Sequence, residues 1–420
     1  MMGPHAASVK RRKESKSGRY THAVEPDLAA ELLPAVRAYL RCQRHLVEPL
    51  GEAFELVPLA QGEYNLNYLA TASRTTDYRV VVRLNTGSQE VAAGARQILY
   101  EAGALRLLAP TGLAPALLHV DAAPGDVPFG LLVEEFIPGR PLDYGRAADL
   151  NRAAAALARL HTYTPPAAAR RRLLAIDRPL TTYLAFGREM AARYRAWPRA
   201  DRRVLRVLEV VERALAALAP AEARVFDPAR RAIVHTDVQA HNFVVQTPSP
   251  AAPPERQEAR GTRISPPGPA ARKRVSGRGE RGNPCARLVD WEKPMLDDPS
   301  YDLCHFLAPT STRWRCGVTL DARQRRRFLD AYAAQVRAAG PGAARAVEDL
   351  EARVGLRQPF VHWRAIAWCA MAWVEYQDPG RPLRNADTRA RIAEYLQPDF
   401  LEALFDPILS AAAPRELGAA

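Results

Sequence analysis

The sequence predicts an α+β chain in two lobes, a small strand-rich part with one long helix and a larger part made mainly of helices. Three observations lead there. Short alternating or β-branched runs, separated by turn signals, crowd the first third of the chain. From about residue 147 the pattern becomes helical and rich in Ala, Arg and Leu. At 420 residues the chain can bury one large core or two medium ones.

Residues 1–24 are polar and basic and read as a disordered tail. From Asp27, a plausible cap, LAAELLPAVRAYLRCQRHLV reads as an amphipathic helix interrupted or restarted at Pro34. FELVPLA, YNLNYLATA and DYRVVVRLN read as strands divided by the turn signals QGE and SRTTD. The long helix is QEVAAGARQILYEAGALRLLAPTG, closing at Thr111-Gly112. LAPALLHVD and FGLLVEEFIPG are two further strands, the second ending at Pro138-Gly139. The expected lobes are therefore 25–138, with its leading helix, and 139–410.

In the second lobe, AADLNRAAAALARLHTY, ARRRLLAIDRPLTTYLAFGREMAARYRAW and DRRVLRVLEVVERALAALA read as helical, as does the region from about Asp321 to Leu409. Two short apolar pieces, Ala232–Val234 and Phe243–Val245, read as strands flanking a polar loop that carries His235, Asp237 and Asn242. A loop held between buried strands is a rigid mount for chemistry. Leu288-Val289 is a further short strand that delivers Asp290 at its end. Residues 247–286 hold eight prolines and almost no large apolar side chain, so they read as a disordered insertion protruding from a hairpin turn.

The net charge of +13 resembles a nucleic-acid signal, but residues 1–24 and 247–287 together supply +11 of it. The remaining body is nearly neutral, so solvated arms are expected and a nucleic-acid partner is not. No apolar h-region follows the first basic residues, and the longest apolar run, Ala365–Val374, is too short to span a bilayer. The five cysteines form no CxxC pair, as expected of reduced thiols in a cytoplasmic protein.

Two acidic groups emerging from strand ends in one small region, with an amide between them, suit phosphoryl transfer. One carboxylate orients or deprotonates the attacking group, and the other oxygens hold Mg²⁺ on the phosphates. The ordered blocks are His235-Thr236-Asp237-Val238-Gln239-Ala240-His241-Asn242, then Asp290-Trp291-Glu292, then Asp298-Pro299-Ser300-Tyr301-Asp302-Leu303. This succession resembles the aminoglycoside phosphotransferase and choline kinase-like superfamily, relatives of the protein kinases. The resemblance covers about residues 50–410 without the insertion.

The resemblance implies a protein-kinase-like two-lobe fold, with an antiparallel sheet and one long helix in the small lobe. It implies Asp237 as catalytic base, Asn242 and Asp290 as Mg²⁺ ligands, and ATP or GTP as phosphoryl donor to a hydroxyl or amine of a small molecule. Arg83 takes the position of the kinase lysine and Glu101 that of its helix partner, while Gln61 to Tyr68 take that of the phosphate-covering loop. The strand from Leu132 to Gly139, with Glu134 and Phe136, would meet a purine through its backbone. His235 is expected to be structural, and Asp298 and Asp302 to brace the catalytic loop. Glu292 is open between adding an oxygen to the metal shell and lying exposed, and His241 defaults to the surface. The pattern departs from the family at Thr236, usually Gly, and at Gln239-Ala240-His241, usually His-Pro-Gly.

The acceptor is less legible. Trp363, Trp368 and Trp373 read first as core; the alternative is a cage for a cationic or sugar substrate, with Glu375 on an amine. These helices carry no dense acidic cluster of the kind that a polycationic aminoglycoside favours. The competing reading for the whole chain is a pseudokinase, a nucleotide- or partner-binding module without transfer.

Overall fold

The computed structural model describes residues 26–75, 78–87, 94–246, 286–314, 316–381 and 383–416. The tail at 1–24 and all of the insertion except Ala286 lie outside the described residues.

The first lobe is built on an antiparallel sheet of β1 (Glu55–Gln61), β2 (Asn65–Thr71), β3 (Arg79–Asn85), β4 (Leu117–Asp121) and β5 (Gly130–Glu135). The spatial order is β1-β2-β3-β5-β4. Alternation along the strands gives the sheet two different faces. Tyr68, Val80 and Val82 bury on one face with Val36 and Leu40 of helix α1 (Pro26–Cys42). The intervening Arg83 is buried against helix α3 (Gly94–Leu108), which carries Glu101. Between these helices in sequence lies α2 (Arg44–Leu50).

The expected break at Pro34 does not occur. The helix runs through it and stops at Gln43. Pro34 is exposed, so the carbonyl that loses its N–H partner can turn to water.

The second lobe begins with β6 (Arg140–Pro141), which pairs with β9 (Phe243–Val245), itself paired with β10 (Ala286–Leu288). Ala286 stands opposite Val245, so the two ends of the chain flanking 247–285 are adjacent. A second small sheet joins β7 (Leu174–Ala175), β8 (Ala232–Val234) and β11 (Met295–Asp297). Around them stand α4 (Ala147–Thr162), α5 (Pro179–Ala196), α6 (Arg202–Leu218), α7 (Ser300–Leu307), α8 (Ala322–Ala338), α9 (Leu350–Glu375), α10 (Ala386–Tyr395) and α11 (Pro398–Glu416). The stretch ARRRLLAIDRP does not run on into α5 as one helix. It supplies β7, and α5 starts at Pro179, where the missing N–H costs nothing. No helix among the described residues is long and apolar enough to cross a membrane.

Candidate active site

The polar loop is held by bonds from outside it. The Asp302 carboxylate, at the first turn of α7, accepts the backbone N–H groups of His235 at 2.8 Å and Thr236 at 2.9 Å. Behind it, His161 lies 3.1 Å from Asp302 and 2.9 Å from the Tyr332 hydroxyl. His235, expected to be structural, is tied to the strand end beside it and also lines the cleft. Its Nε2 donates to the Val289 carbonyl at 3.0 Å, and its ring lies 4.4 Å from that of Trp291. Asp298 sits elsewhere than expected. It accepts the Ser300 N–H at the start of α7 and pairs with Arg353 at 2.6 Å, so Asp302 alone of the two grips the loop.

This loop brings Asp237 and Asn242 together. The Asn242 amide donates to the Asp237 carbonyl at 2.8 Å and to its carboxylate at 2.9 Å. The Val289 N–H donates to the Asn242 carbonyl at 2.9 Å, which seats Asp290 next to the pair. Thr236 and Asp290 both adopt positive φ, 72° and 68°. For a β-branched residue such as Thr236 this is strained backbone, of the kind that clusters at functional sites.

Arg83 joins the lobes. Its Nε stands 3.2 Å from Glu101, and its Nη2 donates to Asp290 and, at 2.7 Å, to Glu292. Glu292 is therefore engaged rather than exposed, and the Asn65 amide donates to it as well. Burial alone would raise the Asp290 carboxyl, but the Arg83 charge and hydrogen bond hold it below the usual carboxylate range. Burial pushes Glu292 up to about 7, reinforced by the Asp290 charge. Burial likewise pushes Glu134 up to about 7, and Glu101 well above its ordinary value, both against the pull of Arg83. Four carboxyl groups thus crowd one guanidinium.

The expected purine contact at Phe136 needs correction. Its N–H donates to the Arg79 carbonyl at 3.4 Å, and the Arg79 guanidinium lies 4.3 Å from its ring centroid. Glu134 stands inside β5, in register with Val81 of β3 and Leu117 of β4, so the sheet already flanks its backbone on both sides. Among the described residues the Ile137 N–H has no acceptor, and Ile137 lines the cleft.

The cleft between the lobes has a volume of about 520 Å³. Glu134, Phe136, Arg83 and Glu292 line one part of it, with Asp237, Asn242 and Asp290 between them and the helices. His241, expected at the surface, is half-buried and lines the cleft. The three tryptophans divide. Trp363 is fully buried core, with its ring against Gly187; Trp368 lines the cleft; Trp373 lines a separate groove. Glu375 is taken by Arg193 at 2.7 Å and Arg381 at 2.6 Å.

Sequence reasoning missed His305, Trp314 and Arg364, which complete the helical wall of the cleft. No local pattern marks them. Only the hydrophobic periodicity around Arg364, which places it on the Val361 side of α9, offered a signal.

A small lobe carrying an Arg–Glu pair, a helical lobe carrying an Asp/Asn/Asp constellation, and a cleft between them define a kinase-like phosphotransferase fold. Residues 55–252 match the model of the phosphotransferase enzyme family, as the motif order in the sequence suggested. Among solved structures, an ethanolamine kinase of Plasmodium vivax is similar at a TM-score of 0.57 and 12% identity, over 89% of this chain and 90% of that one. A putative aminoglycoside phosphotransferase of Ralstonia eutropha gives 0.56 and 13%, over 90% and 98%. A choline kinase of Cryptosporidium parvum gives 0.54 and 14%, over 90% and 98%. At such identities these likenesses establish the fold. No curated protein matches the chain in sequence.

Proposed function

We propose that the chain is a small-molecule kinase that moves the γ-phosphoryl group of ATP or GTP to a hydroxyl or amine. The observation that carries this is the Asn242 amide bonded to the Asp237 carboxylate, with the Asp290 strand end hydrogen-bonded to Asn242. Asp237 is 45% exposed toward the cleft, as a base must be to reach an acceptor proton. The purine would meet the backbone near Ile137, just past the end of β5, rather than that of Phe136.

The residues fit Mg²⁺. Asp290 and Asn242 offer hard oxygens, and the crowd of carboxyl groups around Arg83 leaves negative charge for a divalent ion to balance. Among the described residues no three His, Cys, Asp or Glu side chains form a metal-binding group, so phosphate and water oxygens would complete the shell. When bound, the ion would neutralise charge on the phosphates. Asp237 aligns the acceptor and takes its proton, and Asn242 holds Asp237 in orientation. Arg83, positioned by Glu101, turns its fork from Asp290 and Glu292 toward phosphate oxygens.

One observation favours the competing module without transfer: Arg83 already neutralises Asp290. Calorimetric titration of ATP and GTP, with and without Mg²⁺, on the wild type and Asp290→Ala separates the two. The expected result is Mg²⁺-dependent binding weakened in the variant, and a gain of about 2.7 kcal/mol in fold stability at a hundred times the dissociation constant. Asp237→Ala should retain that binding and lose basal nucleotide hydrolysis, with water as acceptor, by on the order of a hundredfold or more. Wild-type hydrolysis by Asp237→Ala would sink the base assignment. No nucleotide binding would sink the kinase reading.

A further inference from the structure

The helical wall of the cleft states the charge of what it receives. Its lining side chains from α7 onward include Tyr301, His305, Thr310, Trp314, Arg364 and Trp368, and among the described residues none is an Asp or Glu. Among those same residues the only fixed charge on that wall is Arg364, whose field reaches Asp237 across the cleft.

The partners of Arg364 set it apart from the other arginines of the same helix. Arg353 and Arg357 are fully buried and each is paired with a carboxylate, Asp298 at 2.6 Å and Asp297 at 2.8 and 2.9 Å. Arg364 donates one Nη to the Tyr301 hydroxyl, and its guanidinium lies 5.7 Å from that ring and 5.8 Å from that of Tyr183. Among the described residues no carboxylate stands within ion-pairing distance of it. Arg364 is half-buried on the cleft wall, and partly withdrawing a guanidinium from water without an anion carries a cost that a bound anion would offset. Next to it, the indole N–H of Trp368 is buried and has no acceptor among the described residues. A cation and an unanswered donor on one wall, with Asp237 opposite, call for acceptor atoms and negative charge.

We propose that the phosphoryl acceptor is a hydroxyl compound bearing a carboxylate or phosphate group, and that Arg364 binds this group while Asp237 faces the hydroxyl. The proposal rests on the kinase reading and gives it a substrate class. A quaternary ammonium or a polyamine would meet like charge at Arg364 and find no carboxylate on the wall to bind it, so this class is disfavoured.

The test uses the full chain loaded with Mg²⁺ and a non-hydrolysable ATP analogue, titrated calorimetrically with probes of one skeleton and three charges. These are D-gluconate, D-glucose and D-glucosamine, with glycerol 3-phosphate against glycerol as a second set. The expected order is anionic over neutral over cationic, the anionic probes binding at least about tenfold more tightly than the neutral ones. Arg364→Gln should abolish the preference and Arg364→Lys should retain part of it. A preferred carboxylate and a preferred phosphate each identify the source of the charge. A flat or reversed order in the wild type, or a preference that survives in Arg364→Gln, overturns the proposal. Loss of analogue binding by the wild type instead removes the kinase reading on which it rests.

Discussion

Thr236 shows how much a single residue carries in this loop. A non-glycine residue at φ 72° costs about 1–2 kcal/mol, and branching at Cβ adds to the crowding. Against that, its hydroxyl donates to the Lys293 carbonyl at 2.9 Å and ties the polar loop to the segment after Asp290. A buried bond of this kind contributes about 0.5–1.5 kcal/mol. Thr236→Val should keep the strain and lose the bond, lowering stability by about 1–3 kcal/mol. Thr236→Gly should lose the bond but relieve the strain, and stay within about 1 kcal/mol of the wild type. Urea denaturation of the two variants decides. Equal losses would mean that the backbone at Thr236 is not strained.

At the scale of one element, α9 does several jobs along its length. Arg353 and Arg357 are one turn apart and so share a face, where they neutralise Asp298 and Asp297 at the end of β11. Further along lie His362 and Arg364, on different neighbours. His362 accepts a hydrogen bond from Gln358 at 2.9 Å, and burial, reinforced by Arg325, pushes it down to about 3. In the unfolded chain a histidine titrates near 6.5. The native state therefore refuses a proton that the unfolded state accepts, so this contribution to stability is full above pH 6.5. It is lost as pH falls from there toward 3, by at most about 1.4 kcal/mol per pH unit. His362→Leu should show a shallower loss of stability than the wild type between pH 6.5 and 4.5, measured by urea denaturation across that range. Parallel curves would refute a neutral buried imidazole.

At the scale of the whole molecule, the turn between β1 and β2 is latched across the cleft to the end of α9. Arg381 pairs with Glu63 at 2.8 Å and with Glu375 at 2.6 Å. The Tyr376 hydroxyl donates to Glu63 at 2.8 Å, and the Tyr64 hydroxyl donates to Glu375 at 3.3 Å. One lobe thus supplies the turn over the cleft, and the other supplies its catch. Arg381→Ala removes the cation that Glu63 and Glu375 share, leaving Glu375 to Arg193 and Glu63 to the Tyr376 hydroxyl. Amide hydrogen exchange at residues 62–67 should speed up by about tenfold or more, with weaker nucleotide binding. Unchanged exchange there would show that the turn is held by the sheet alone.

The sequence by itself determined the elements and the heart of the site, because both rest on short-range geometry. A three-residue strand, an eight-residue polar loop and a second strand confine Asp237 and Asn242 to one place whatever surrounds them. The alternation of β3 turns Arg83 away from the face of Val82 and Leu84, so its meeting with Glu101 on the next helix was also legible. Tertiary structure decided the rest. Pro34 continues its helix because its carbonyl partner faces solvent, which no local propensity states. The Phe136 N–H is lost to Arg79 across a strand pair. Arg364 is distinguished from Arg357 only by which of them packs beside an aspartate, a question of how α9 lies against β11 and α7. Charge and hydrogen-bond satisfaction depend on neighbours brought together from distant parts of the chain. For that reason the candidate site is written locally, while the wall that carries Arg364 exists only once the helices have packed.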